Sequence, residues 1–157
     1  MEPTDRDSIV DAFEQLSEDS RYMRFLAHRD RLTPDELRYL TVVDHHDHEA
    51  LVAVDAGRIV GVSRYVRDPA HPAVGEISVV VAEDWRRRGL ARTLLLRLGE
   101  RARAAGIRQF EGSALPHNHA ALELLRGLGA SVAPEQGGSV RIELPLALPR
   151  SPRPTPT

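Results

Sequence analysis

Apolar residues in the first forty positions recur at helical spacing. In SIVDAFEQLS, residues 8 to 17, Ile9, Val10, Phe13 and Leu16 fall on one helical face, and Asp7 stands where a cap is expected. Tyr22, Met23, Phe25 and Leu26 repeat that spacing in SRYMRFLAHR. Thr33-Pro34-Asp35-Glu36 combines a capping threonine, a proline suited to the first helical position and early acids. This part of the chain therefore predicts two or three short helices.

The period then shortens. EALVAVD (49 to 55) and RIVGVSRYV (58 to 66), joined at Ala56-Gly57, predict a β-hairpin, and Pro69 and Pro72 mark a loop. GEISVVVAE (75 to 83) alternates as a strand, with Ile77, Val79 and Val81 on one face and Glu76, Ser78 and Val80 on the other. RGLARTLLLRLGERARAAG (88 to 106) predicts a long amphipathic helix closed by Gly106. Its stripe of Leu90, Leu94, Leu95, Leu98 and Ala102 belongs to a core. A strand (107 to 115), a glycine-closed helix (118 to 129) and a last strand (139 to 148) follow. The class is α/β, with a strand–turn–helix at its centre. Residues 148 to 157 are rich in proline and are expected to be a disordered tail, leaving residues 1 to 147 as one domain.

Composition narrows the functions open to such a chain. With 41% apolar but only 4% aromatic residues, the core must rest on aliphatic side chains. The absence of cysteine removes disulfides and thiolate nucleophiles and fits a reducing compartment. The polar, acidic start MEPTDRDSIV does not read as a signal peptide, and no apolar run approaches the roughly 20 residues of a membrane span. The expectation is a cytoplasmic protein with no membrane partner. A net charge of −2 argues against a nucleic-acid partner, yet residues 86 to 108 hold eight arginines and one acid, Glu100. All 21 basic residues are arginine, within a general bias toward Arg, Ala, Gly and Pro.

The arginine cluster begins in EDWRRRGLAR, residues 83 to 92. A strand that ends in a glycine-bearing turn and opens a helix leaves backbone N–H groups free at the helix start, where they and the helix dipole attract an anion. Gly89 permits close approach, Ala91 keeps the wall small, and Arg86, Arg87 and Arg88 can add charge-assisted bonds to phosphate. The plainer reading is a solvated helix start, but cations there oppose the dipole unless an anion is present. The turn is neither a P-loop nor a dinucleotide fingerprint.

At these residues the chain resembles the GCN5-related N-acetyltransferase (GNAT) superfamily, whose signature Gln/Arg-x-x-Gly-x-Gly/Ala reads here Arg86-Arg87-Arg88-Gly89-Leu90-Ala91. The resemblance runs from about residue 5 to residue 147 and includes a helix from Asn118-x-x-Ala121 to Leu128-Gly129-Ala130. It implies the acyl-CoA N-acyltransferase fold, a mixed, mostly antiparallel sheet flanked by helices. It also implies acetyl-CoA as cosubstrate, its pyrophosphate on the amides of residues 87 to 91. The pantetheine would pair along Val79, Val80 and Val81, with Asn118 supporting it from the next helix. Arg87 departs from the glycine that many members carry.

Acetyl transfer needs a neutral amine, and a lysine amine with a pKa near 10.4 is only about one part in a thousand neutral at pH 7. A general base removes that obstacle, and Glu76, ten residues before Arg86, is the candidate. The alternative is an ordinary surface or salt-bridged glutamate. The strings SRYMRFLAHRDRLTPDELRYL, VGVSRYVRDP and GEISVVVAEDWRRRGLA resemble the bacterial protein lysine acetyltransferases called Pat. In those enzymes a glutamate at the position of Glu76 is the base, and the target is a lysine on another protein, typically an acyl-CoA synthetase. They often carry a fused regulatory domain, for which 157 residues leave no room. Many superfamily members also protonate the leaving thiolate with a tyrosine seven residues beyond the helix asparagine; here that position is Leu125.

VDHHDHEA gathers His45, His46 and His48 with Asp44, Asp47 and Glu49, but spacing of i, i+1, i+3 does not set three ligands on one side, so no metal is expected. The segment reads instead as a rim of the acceptor cleft, whose wall the first helices would form. His71 and His117 fall in loops near the site, with His117 an alternative acid or base. Trp85 is expected to pack rather than stack on a base. The reading is an acetyl-CoA-dependent N-acetyltransferase acting on a protein lysine. Alternatives are a small-amine acetyltransferase, which a deep acidic pocket would favour over an open groove, and a non-catalytic acyl-CoA-binding regulator.

Overall fold

The computed structural model describes residues 1–147; the proline-rich segment 148–157 lies outside the described residues. Three short helices come first: α1 (Arg6–Glu14), α2 (Glu18–Phe25) and α3 (Pro34–Thr41). Strands β1 (His48–Asp55), β2 (Arg58–Arg67) and β3 (Val74–Val81) lead into helix α4 (Leu90–Ala104). Strand β4 (Gln109–Ala114), helix α5 (His119–Gly127) and strands β5 (Ser131–Pro134) and β6 (Val140–Pro145) complete the described chain. The six strands form one sheet in the order β1-β2-β3-β4-β6-β5, antiparallel throughout except for the parallel β3–β4 pair. This is the mixed, mostly antiparallel sheet that the resemblance implies. Among the described residues no helix is long and apolar enough to cross a membrane.

Two apolar clusters hold the layers together. On one face, Leu95, Leu98 and Ala102 of α4 and Leu122 and Leu125 of α5 pack against Tyr65, Phe110, Ile142 and Leu144. On the other, Ile9, Leu37 and Leu40 of α1 and α3 meet Ala50 and Ile59 of the hairpin. The predicted leucine stripe of α4 is thus a core face, as its period requires. Gly61 lets α4 press onto β2, since a Cβ there would lie 2.9 Å from Leu94 Cδ1.

Local chemistry explains most boundaries. Thr33 and Glu36 form a reciprocal capping box at the start of α3, with Pro34 at the first helical position. The cap of α1 is Asp5 rather than Asp7, which lies in the first turn. Helix α2 starts at Ser17, whose hydroxyl accepts from Ser20 N, and stops where Leu26 adopts a left-handed φ of 53°. Helix α4 begins two residues later than the amphipathic pattern suggests, because Gly89 takes a φ of 78°. Strand β5 was not legible: four residues with a terminal proline carry no alternation, and their pairing with β6 is fixed by the sheet edge.

The His/Asp run is absorbed by structure. Glu49, only 2% exposed, accepts from its neighbour Ala50 N, pairs with His45 Nδ1 at 2.9 Å and receives Arg101 Nη1 of α4 at 3.3 Å. Asp44 accepts three backbone amides, and Asp47 pairs with Arg67 and His46. His48 Nε2 accepts from Arg64 Nη1 at 2.6 Å, while Arg64 Nη2 donates to Leu40 O at the end of α3. Burial, with the Arg64 charge second, pushes the His48 imidazole down to about 4.

Two outcomes follow from these contacts. Glu49→Ala is expected to cost about 2 kcal/mol in urea unfolding, the scale of lost charged hydrogen bonds. His48 is protonated more readily in the unfolded chain than in the folded one. Its contribution to stability is complete above its ordinary value of 6.5 and is lost as pH falls toward about 4. Urea midpoints should fall in the upper part of that window, before the carboxylates titrate, and His48→Gln should flatten the fall.

Candidate active site

The central feature of the sheet is a fork. β3 is paired with β2 from Gly75 to Val81, and β4 with β6 from Gln109 to Ala114. Between themselves β3 and β4 share only three pairs, Val74–Gln109, Gly75–Phe110 and Glu76–Glu111. Gly112 lies at the crotch, where a Cβ would stand 3.4 Å from Ile77 O. Beyond it, the β4-facing edge of Ile77 to Val81 has no strand partner among the described residues. Val79, Val80 and Val81 line that open edge, with Val81 buried and Val79 packed on the α4-side core.

The turn after β3 carries the second feature. A short 3₁₀ turn, Glu83–Trp85, leads to Arg86 in extended conformation, Arg87 at a φ of 62° and Gly89 at 78°. The chain therefore demands a left-handed residue at Arg87, which is why glycine suits that position in the signature. No side chain caps α4. The backbone amides of Arg87, Arg88, Gly89, Leu90, Ala91 and Arg92 donate to no acceptor among the described residues. A row of free donors converging on a helix start is a site for a phosphate-like anion. The position of a Cβ on Gly89 has no atom within 4 Å, so the cradle is open.

The arginine side chains behave differently from the backbone. Arg86, though exposed, reaches toward α2: Nη2 donates to Ser20 Oγ at 2.8 Å and Nε to Val81 O at 3.4 Å. Arg88 lies over the Trp85 ring, 4.6 Å from its centroid. Arg87 is exposed. The signature string thus encodes the path of the backbone, and only Arg87 of its three arginines lacks a contact within the turn or to α2. Ser20 also donates to Glu83, which accepts Ser17 N as well; these bonds hold the Glu83 carboxyl below its ordinary value.

Glu76 stands at the last residue pair shared by the forked strands. It is exposed and has no hydrogen-bond or ion-pair partner among the described residues. It lines an open groove with Asp68, Glu111 and Glu135, and with Arg67 and Arg141. Those two arginines are already engaged, Arg67 with Asp47 and Arg141 with Glu111 and Glu143. Asn118 caps α5, its Oδ1 accepting from Ala121 N, and its side-chain amide remains free to donate among the described residues. Leu125 is buried in the α4-side core, well removed from any proton-donating role. His117 is exposed, and His71 pairs with Asp68. The three histidines of the 45–48 run each have a separate partner, and the described residues contain no group of three or more His, Cys, Asp or Glu placed to hold a metal.

A forked sheet whose open edge leads to uncapped helix amides suits an extended ligand that carries phosphate. Comparison with known proteins makes the class of protein specific. Residues 10–130 match the model of the Acetyltransferase (GNAT) family. The GNAT domain of S. lividans PAT is similar at 30% identity and a TM-score of 0.88, over 93% of this chain and 88% of that one. The cAMP-binding acyltransferase of Mycobacterium smegmatis is 27% identical with a TM-score of 0.63, over 83% of this chain and 40% of that one. The fold alone is shared with yncA of Salmonella typhimurium, solved with its cofactor acetyl-CoA: 20% identity, TM-score 0.74, covering 99% and 96%. The chain belongs to the GNAT acetyltransferase family and is an acetyl-CoA-dependent N-acetyltransferase.

Sequence reasoning missed the contact of Arg86 with α2, the half-buried Arg24 and the buried Arg64. Arg64 had a visible signal, a charged residue among valines on one face of VGVSRYV. Because Gly89 has open space around it, Gly89→Ala tests backbone conformation without a clash. It should cost about 1 kcal/mol in urea unfolding and weaken acetyl-CoA binding in calorimetry, whereas Arg87→Gly should leave that binding intact.

Proposed function

We propose that residues 1 to 147 form the catalytic unit of a protein lysine N-acetyltransferase in which Glu76 is the general base. The observation that carries this reading is the position of Glu76: an unpartnered carboxylate in an open, acid-lined groove at the crotch of the fork. An open groove admits a side chain presented by another protein, and its surplus of carboxylates favours an ammonium group. The likeness to the GNAT domain of S. lividans PAT points the same way. The chamber on the helical side is lined near Ser78 by arginines instead of acids, which disfavours a polyamine or similar small cation.

The free amides from Arg87 to Arg92 would hold the pyrophosphate, and the open edge of Val79 to Val81 would hold the pantetheine by strand-like pairing. Asn118 would add its side-chain amide from the start of α5. Bound acetyl-CoA supplies an activated thioester. Glu76 takes the proton of the acceptor ammonium, which frees the nitrogen lone pair for attack on the acyl carbon. Leu125 offers no proton to the departing sulfur, which leaves as thiolate while the newly acylated nitrogen gives its second proton to solvent; a thiol pKa near 8.5 makes that acceptable close to neutrality.

Glu76→Gln should lower kcat by about 10²- to 10⁴-fold while leaving acetyl-CoA affinity unchanged. Free-thiol release with lysine-bearing proteins and with small amines measures the first, and calorimetry the second. Mass spectrometry of a lysate treated with enzyme and labelled acetyl-CoA identifies the acceptor. Acetyl-CoA binding without thiol release for any acceptor would overturn the enzymatic reading, and unchanged turnover in Glu76→Gln would move the base elsewhere.

A further inference from the structure

Between the sheet and the roof of α1 and α2 lies a chamber of about 220 Å³ that the catalytic reading leaves unused. One water occupies about 30 Å³ of the liquid, so the space takes a body of several heavy atoms. Its floor is formed by Val62 and Arg64 of β2, paired in register with Val80 and Ser78 of β3. Ile9, Phe13 and Leu16 of α1 and Phe25 of α2 supply apolar walls.

The charges in this chamber do not balance. Arg24 and Arg64 both line it, on the side of Ser78. Arg64 is 4% exposed; its two terminal nitrogens reach His48 and Leu40 O, and its Nε has no partner among the described residues. Arg24 leans on the Phe25 ring, 4.8 Å from its centroid, and has neither a hydrogen bond nor an ion pair among the described residues. Among the described residues the only acids lining the chamber, Glu83 and Asp84, sit at the opposite end of β3 and are taken by Ser17, Ser20 and Arg58. Burying the Arg64 guanidinium without an anion is costly, and a second, half-buried guanidinium beside it adds to that cost. Burial, with Arg24 as the second cause, pushes the Arg64 guanidinium down to about 10, and burial likewise lowers Arg24 against the opposing pull of Tyr39 and Glu76.

From this geometry we infer that the chamber is a binding site for a small amphiphilic carboxylate, its carboxylate held between Arg24 and Arg64 and its hydrocarbon body between α1 and the valines of the floor. Arg24 offers a whole planar fork to a carboxylate, while Arg64 adds its charge and its unpartnered Nε, and the walls match an aliphatic or aromatic body. Glu76 lies on the same sheet face, two residues along β3 from Ser78, so the occupant sits beside the acceptor amine. The site stands whether or not Glu76 is the base.

Calorimetric titration of the full chain with 3-phenylpropionate, 3-phenylpropanol and 3-phenylpropylamine, without acetyl-CoA, tests the assignment. The carboxylate should bind at least about tenfold more tightly than the alcohol, and the amine should not bind. Arg24→Met should erase the preference for the carboxylate, Arg24→Lys should retain part of it, and Glu76→Gln should leave it in place. Melting curves confirm that the variants are folded, and Arg24 is the position changed because Arg64 also supports α3. Absence of saturable carboxylate binding, equal binding of the alcohol, or wild-type affinity in Arg24→Met would overturn the inference. With acetyl-CoA present, thiol release on adding L-phenylalanine marks the ligand as an amino-acid acceptor. Binding of L-phenylalanine without release marks a carboxylate ligand separate from the acceptor.

Discussion

Everything in this molecule is arranged around two parallel strands that share too few hydrogen bonds. β3 is committed along its length to β2, and β4 to β6, and the two commitments diverge after Glu76 and Glu111. A fully paired sheet would satisfy every backbone group. The fork instead leaves the edge from Ile77 to Val81 available to a ligand, and it places one carboxylate at the point where the strands part. Because β3 then runs directly into the turn before α4, the open edge and the row of free amides form one continuous surface.

Much of this was written in local chemistry. The alternation of GEISVVVAE set Glu76, Ser78 and Val80 on one face, the leucine period set the buried side of α4, and Thr33-Pro34-Asp35-Glu36 set the start of α3. Gly89 signalled the sharp turn. Register and side-chain destination were not local. No string announces that β3 and β4 stop pairing after three residues, since that depends on which outer neighbour holds each strand. Arginine has a long reach, so RRR could not tell that Arg86 turns toward α2 and Arg88 onto Trp85. Glu49 looked like one more acid of an exposed run, yet it is buried against α4 because strand alternation carries it inward.

The exclusive use of arginine also has architectural meaning. Arg21 binds the carbonyls of Phe13, Glu14 and Asp30; Arg67 binds those of Pro72 and Ala105; Arg64 binds that of Leu40. A guanidinium can tie several carbonyls at once in fixed directions, which a compact ammonium cannot. These clips close helix ends and loops where the chain would otherwise leave acceptors bare. They also leave a protein with no lysine side chain that could serve as its own acceptor.

Ser20 belongs to the roof of the chamber through α2, and to the anion cradle through Arg86 and Glu83. One hydroxyl therefore ties the helix that roofs the chamber to the turn that carries the free amides. A ligand that displaced either element would act on the other through these bonds, with a coupling that linkage makes reciprocal.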